Sequence, residues 1–175
     1  MDTNKFKVRD SMRYLVREKI FTIGDKFIIT YEIERPKFQV VGKVFTFGNK
    51  LNIYNMNGEN LVYIEEKIFR FLPEYNIYIG KNLAATVKKE FTFFKPKFNI
   101  SSDFGKFTID GDIFAYNFSI YRDKREVAVV NKKFFAWSDT YGVDIDDEEN
   151  HAFILALVIV LDQVLHDNNN INNNQ

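Results

Sequence analysis

The chain of 175 residues carries 24 Lys+Arg against 24 Asp+Glu, a formal net charge of zero, so no whole-molecule field draws it to nucleic acid or to anionic lipid. With 46% hydrophobic residues it is expected to fold as one globular domain, and its lack of cysteine excludes disulfides, thiolate metal sites and cysteine catalysis while fitting a reducing compartment. Aromatic residues reach 17%, 19 of them Phe, against 8 Gly and 3 Pro; that balance favours strands whose corners are turned by Asn, Asp and a few glycines.

The N-terminus, Met1-Asp2-Thr3-Asn4-Lys5-Phe6, is charged and lacks an apolar core segment, so it reads as neither a signal peptide nor an anchor, and a cytoplasmic location is expected. Residues 1–11 are taken as an N-terminal extension, 12–167 as the domain and 168–175 as a tail.

Within the domain a repeat is visible. Lys19-Ile20-Phe21-Thr22-Ile23-Gly24-Asp25 returns as Lys43-Val44-Phe45-Thr46-Phe47-Gly48-Asn49 and as Lys67-Ile68-Phe69-Arg70-Phe71, at intervals of 24 residues. A fourth copy begins at Lys89-Glu90-Phe91-Thr92-Phe93, a degenerate one follows at Asp112-Ile113-Phe114-Ala115-Tyr116, and the last is Lys133-Phe134-Phe135-Ala136-Trp137. Each unit reads as a hairpin: an alternating Phe-x-Phe strand, a short turn such as Gly24-Asp25, then a second alternating strand. Further turn signals at Asn57-Gly58, Gly80-Lys81 and Arg122-Asp123-Lys124-Arg125 join the units into an antiparallel meander of about twelve strands. So wide a twisted sheet is expected to close into a barrel, which removes its edges.

Alternation assigns a core face. Phe21, Ile23, Phe45, Phe47, Phe69, Phe71, Phe91, Phe93, Phe135 and Trp137 belong to it from the first strands. From the second strands come Phe27, Leu51, Ile53, Tyr75, Ile77, Phe98, Ile100, Phe118, Ile120 and Tyr141. This aromatic stripe is expected to be core rather than a cofactor box.

The meander ends in Ala152-Phe153-Ile154-Leu155-Ala156-Leu157-Val158-Ile159-Val160-Leu161, which has no polar face at any period. A helix over roughly 148–165 is expected, with Asp146-Asp147-Glu148-Glu149 at its positive end and His166 at its negative end. An apolar run of this length, interrupted by Asp162, falls short of the roughly twenty residues of a membrane span. A barrel of about twelve strands is too wide for its own side chains to fill, so the helix is expected to thread it, emerging near Asp162. The tail from Asp167 to Gln175 is Asn-rich and is expected to be disordered.

Motifs for chemistry are absent from the sequence. There is no Gly-x-Ser-x-Gly elbow, Walker loop or Gly-x-Gly-x-x-Gly. His151 and His166 bracket the helix about 22 Å apart, too far to share a metal. The run Asp144-Ile145-Asp146-Asp147-Glu148-Glu149 lacks the glycine and spaced glutamate of a calcium loop, and helix capping accounts for it. No catalytic residue, cofactor or metal is assigned.

The Lys-x-Phe-x-aromatic units, the closing Trp137-Ser138-Asp139-Thr140-Tyr141-Gly142-Val143, and the acidic link into the apolar helix resemble the LURP-one-related family over residues 12–167. The resemblance implies a twelve-stranded barrel around a central C-terminal helix, as in the tubby C-terminal and phospholipid scramblase superfamily. It implies no established catalytic activity. Phosphoinositide binding and lipid movement belong to distant relatives, and no motif for either matches residues in this chain.

Lysine precedes the aromatic pair in five units, at Lys19, Lys43, Lys67, Lys89 and Lys133, and equal register around a barrel means a ring near one level. Such a ring suits anionic headgroups; it also suits a solvated rim balanced by Glu18, Glu65, Glu66 and Glu90. Three functions follow as expectations: a non-catalytic binding or scaffold domain, monomeric and peripheral to anionic phospholipid or bound to a protein partner; a carrier of a small apolar ligand inside the barrel; and an enzyme of unrecognised type.

Overall fold

The computed structural model describes residues 10–17, 26–31, 35–42, 48–132 and 140–172, with the side chains of Arg17 and of residues 166–172 excepted. Twelve antiparallel strands precede one helix: β1 (Ser11–Arg17), β2 (Lys26–Tyr31), β3 (Arg35–Gly42), β4 (Lys50–Asn55), β5 (Asn60–Glu66), β6 (Glu74–Ile79), β7 (Asn82–Lys89), β8 (Phe98–Ser102), β9 (Phe107–Asp112), β10 (Asn117–Arg122), β11 (Arg125–Asn131), β12 (Thr140–Asp146) and α1 (His151–Asn172).

The sheet closes where its first and last strands meet, β1 pairing with β12 along its whole length from Ser11↔Asp146 to Arg17↔Thr140. Its break lies between consecutive strands. The ladder order starts at β8 and ends at β9, so the barrel is nearly closed, with these two strands adjacent and unladdered. Phe104, in the turn that joins them, packs its ring on Phe153 of α1 at 4.9 Å between centroids.

The helix fills the interior. Every residue from Ala152 to Leu165 is buried, on all sides of the helix, so α1 is threaded through the barrel. Its buried length, roughly 21 Å at 1.5 Å per residue, is close to that of strands of five to eight residues at about 3.3 Å each. That match decides what is strand and what is not.

The second-strand residues Leu51, Ile53, Tyr75, Ile77, Ile100, Phe118, Ile120 and Tyr141 are buried as expected, with Phe27 and Phe98 half-buried. The Phe-x-Phe segments are a correction. Phe69, Phe71, Phe91 and Phe93 are 96%, 94%, 67% and 85% exposed, and they lie in connections rather than in strands. Phe21, Ile23, Phe45, Phe47, Phe135 and Trp137 lie outside the described residues. The hairpin phase is therefore shifted: strands read as inter-unit linkers, carrying Val40, Val62, Ile64, Val87 and Val130, supply the other inward faces. Asn57-Gly58, Gly80-Lys81 and Asp123-Lys124 are the hairpin turns.

At the start of α1 the structure again differs from expectation. Asn150, not the acidic run, caps the helix, its Oδ1 accepting from the Phe153 amide at 3.1 Å. The acids of the lead-in pair with arginines of β10 and β11: Arg122 with Glu149 at 2.7 Å, and Arg125 with Asp146 at 2.7 Å and Glu148 at 2.9 Å. Asp162 does not mark an exit either; it is 2% exposed and accepts a hydrogen bond from Tyr116 Oη. The helical backbone continues to Asn172, into the segment expected to be disordered, since extending a nucleated helix is far easier than starting one.

His151, the first helical residue, sits with its Nδ1 2.7 Å from Tyr14 Oη and its ring edge-on to that of Tyr14. Burial lowers its pKa, with Lys37 adding, against the opposing pull of Asp147 and Asp146. The native state thus favours the neutral ring. Its stabilising contribution is complete above the unfolded value of about 6.5 and is lost as pH falls through the lower folded value. Urea titrations of wild type and His151→Asn at pH 7 and pH 5 are expected to show the wild type losing more stability than the variant on acidification; parallel losses would contradict this.

Candidate functional site

Because consecutive strands pair antiparallel, the described odd-to-even connections leave the barrel at one end and the described even-to-odd connections at the other. The described repeat segments are thereby gathered. Connections 67–73, 90–97 and 113–116 share the end at which α1 finishes.

The bases of these connections are pinned. Lys67 N donates to Glu74 O at 2.8 Å, Glu90 N to Lys97 O at 2.8 Å, and Lys89 N to Pro73 O at 3.0 Å, which ties the first two connections together. Gly48, beside them, has a φ of 76° and would bring a Cβ to 2.9 Å from Ile68, so the approach of the neighbouring strand requires glycine. Thr92 Oγ1 donates to Lys95 O at 2.7 Å and holds the tip of the second connection.

What projects from these pinned bases is apolar. Phe69, Phe71, Phe91, Phe93 and Phe94 are exposed, Phe91 and Phe93 meeting edge to face at 5.2 Å. An open groove of about 350 Å³ is lined by Phe69, Arg70, Phe71, Leu72, Glu74 and Lys88. Phe114 is exposed in the third connection, whose Tyr116 turns inward to stack on Tyr141 at 4.7 Å and to meet Asp162. Tyr116, Tyr141, Asp162 and Gln163 are buried at this end of the helix.

Of the five equal-register lysines, Lys67 and Lys89 are described. They reach the same end, as their register implies, and both are half-buried at the bases of the connections, burial lowering the pKa of Lys89. Lys19, Lys43 and Lys133 lie outside the described residues. The exposed cations of 67–73 and 88–97 are instead Arg70, which pairs with Glu74 at 3.7 Å, and Lys88, Lys95 and Lys97, against exposed Glu90, while Asp110 and Asp112 are exposed beside the third connection. At the opposite end the exposed acids among the described residues, Asp10, Glu59, Asp103, Asp123, Asp147 and Glu148, are matched by Arg35, Lys37, Lys81, Lys106, Lys124 and Arg125. The cation excess is thus local to connections 67–73 and 90–97 and the strand end between them. Register alone does not reveal which side chains project there; that required the hairpin phase.

Among the described residues no cluster of three His, Asp or Glu side chains is placed to hold a metal, and no helix is long and apolar enough to cross a membrane.

A nearly closed twelve-stranded antiparallel barrel built around a buried C-terminal helix defines the class. The LURP-one-related family profile matches residues 12–162, and this chain belongs to that family. It is 36% identical over 151 residues to the uncharacterised protein YxjI of Bacillus subtilis, covering 86% of this chain and 92% of that one. The X-ray structure of an Arabidopsis thaliana protein superposes with a TM-score of 0.66 at 21% identity, over 88% of this chain and 91% of that one, a likeness of fold.

Proposed function

We propose that this protein is a non-catalytic binding or scaffold domain of the cytoplasm that associates peripherally with anionic membrane lipid through the end of the barrel carrying connections 67–73 and 90–97. The observation that carries this reading is a local cation excess: Arg70, Lys88, Lys95 and Lys97 are exposed on and beside these two connections against Glu90, in a molecule with zero net charge. An anionic surface orients such a molecule as well as attracting it. Each basic residue near the surface contributes about 1 kcal/mol, fading with salt as the screening length shortens to roughly 8 Å. The carrier reading has less support, because α1 already occupies the interior along its length.

Co-sedimentation with phosphatidylserine-containing vesicles tests the proposal. Wild type is expected to bind at low salt and less at physiological salt, with little binding to neutral lipid. Arg70→Glu/Lys95→Glu/Lys97→Glu should reduce binding about a hundredfold, and Lys81→Glu/Lys106→Glu/Lys124→Glu at the opposite end should leave it nearly intact, both variants showing native circular dichroism. Equal losses from both triples would overturn the oriented reading, and no binding by wild type would overturn the membrane reading.

A further inference from the structure

We propose that Phe69, Phe71, Phe91, Phe93 and Phe94 form an insertion wedge that enters the acyl layer of the bilayer, while Arg70, Lys88, Lys95 and Lys97 form a collar at the level of the anionic headgroups. The inference rests on the membrane reading above and adds to it a depth and a second, apolar source of affinity.

Exposure is the first ground. Phe69, Phe71 and Phe94 are 96%, 94% and 95% exposed, so these rings contribute almost nothing to the fold. Single exposed apolar residues are ordinary, whereas five phenylalanines on two connections joined by the Lys89 N to Pro73 O hydrogen bond make a patch of the kind that marks an interaction site.

Conformation is the second ground. Phe69 has a φ of 60°, in the left-handed region that a bulky aromatic rarely adopts. Its ring packs on almost nothing that would offset the strain, which is the pattern of a residue held ready for a contact outside the molecule. The Phe91 and Phe93 rings are likewise set against each other rather than folded onto the barrel. At 96% and 94% exposure, Phe69 and Phe71 cover nothing of the barrel interior.

Chemistry selects the partner. Protein interfaces enrich Tyr, Trp and Arg, whose polar atoms find partners in the complex. The tips of these two connections carry phenylalanine, whose ring has no hydroxyl or indole N–H, and the exposed cations Lys88, Arg70, Lys95 and Lys97 neighbour these rings in the chain. An apolar tip with a basic collar matches the order of layers in an anionic leaflet: apolar inside, negative at the rim. A second copy related by a two-fold axis brings Arg70, Lys88, Lys95 and Lys97 against the same four cations, so like charges oppose that contact.

The natural absence of cysteine makes the test clean. Phe71→Cys and Phe94→Cys, and Asn57→Cys in the β4–β5 turn at the opposite end, are each labelled with an environment-sensitive fluorophore. They are then mixed with unsaturated phosphatidylserine–phosphatidylcholine vesicles containing lipids spin-labelled in the acyl chain. Quenching is expected at positions 71 and 94 and not at 57. Phe71→Ser/Phe93→Ser, whose side chains are exposed and whose fold is checked by circular dichroism, should bind roughly tenfold more weakly than wild type. That ratio should persist at about 1 M salt, where the screening length is roughly 3 Å and the cations count for little. Vesicle binding without quenching at 71 or 94 would overturn insertion and leave the charge-based reading standing. Equal quenching at 57 would overturn the orientation. Failure of wild type to bind any anionic vesicle would overturn both; in that event, a concentration-dependent dimer lost in Phe71→Ser/Phe93→Ser would identify a second copy as the occupant.

Discussion

Ending the chain after Asp147 is expected to abolish cooperative unfolding, because it removes the helix around which the strands are built. All fourteen residues from Ala152 to Leu165 are buried, and the inward side chains of the barrel, among them Ile53, Ile64, Ile77 and Val143, would face a void or water without them. At about 25 cal/mol per Å² of apolar area, no rearrangement of the strands recovers that burial. A single substitution makes the same point within the full chain. Leu157 is 1% exposed, so Leu157→Asp places a charge in the middle of the barrel with no partner and should cost about 4 kcal/mol or more. Leu157→Met, which conserves volume, should cost less than about 1.5 kcal/mol. Urea titration followed by near-ultraviolet circular dichroism separates these outcomes, and a truncated chain that still melts cooperatively with a native near-ultraviolet signal would end the threaded-helix account.

The second large effect is expected at the entry of the helix. The Glu149 side chain is 5% exposed, and Arg122 Nη2 lies 2.7 Å from its Oε1. Burial raises the Glu149 pKa, and Arg122 and then Arg125 work against that rise. Arg122→Leu removes the nearer cation and leaves the carboxylate with Arg125 alone. Because Arg122 is itself partly exposed, the cost should be about 2 kcal/mol, below the 3–5 kcal/mol of a fully buried pair. The sign with pH follows from the raised folded pKa: a native state that favours protonated Glu149 is penalised as pH rises through the unfolded value of about 4.3 toward the folded one. The penalty of Arg122→Leu should therefore shrink as pH is lowered through that interval. The double variant Arg122→Leu/Glu149→Leu should recover most of the loss, since neither charge is then left without its partner. Equal stability losses for the single and double variants would show that Arg122 acts through packing rather than by neutralising Glu149.

How much of this was legible in the sequence varies by element, for physical reasons. The apolar helix declared itself, since a segment without a polar face can only be surrounded. The strand number followed from a repeat of fixed interval, and the resemblance to the LURP-one-related family pointed to the same architecture. The hairpin phase was not legible. Phe69-Arg70-Phe71 alternates as a half-buried strand does, and period two cannot separate a strand from a connection that presents its aromatic residues to solvent. What separates them is the match between strand length and the buried length of α1, a property of the assembled barrel. Asp162 looked like an exit because no local residue can satisfy it; its partner, Tyr116, is 46 residues away in a connection. The acids before α1 looked like a cap because Arg122 and Arg125 reach them only across the sheet. The candidate site inherited the same difficulty. Of the equal-register lysines, Lys67 and Lys89 stand half-buried at the bases of connections whose tips are phenylalanine, which register alone does not reveal.

Hydrogen–deuterium exchange read peptide by peptide, with and without anionic vesicles, tests the central claim most directly: a helix-centred barrel that docks by one end. The slowest exchange is expected over 152–165 in both conditions, with a vesicle-dependent slowing confined to 67–73, 90–97 and the strand ends beside them. Slowing at the opposite turns, 56–59 or 80–81, or no slowing anywhere on vesicles that sediment the protein, would contradict it.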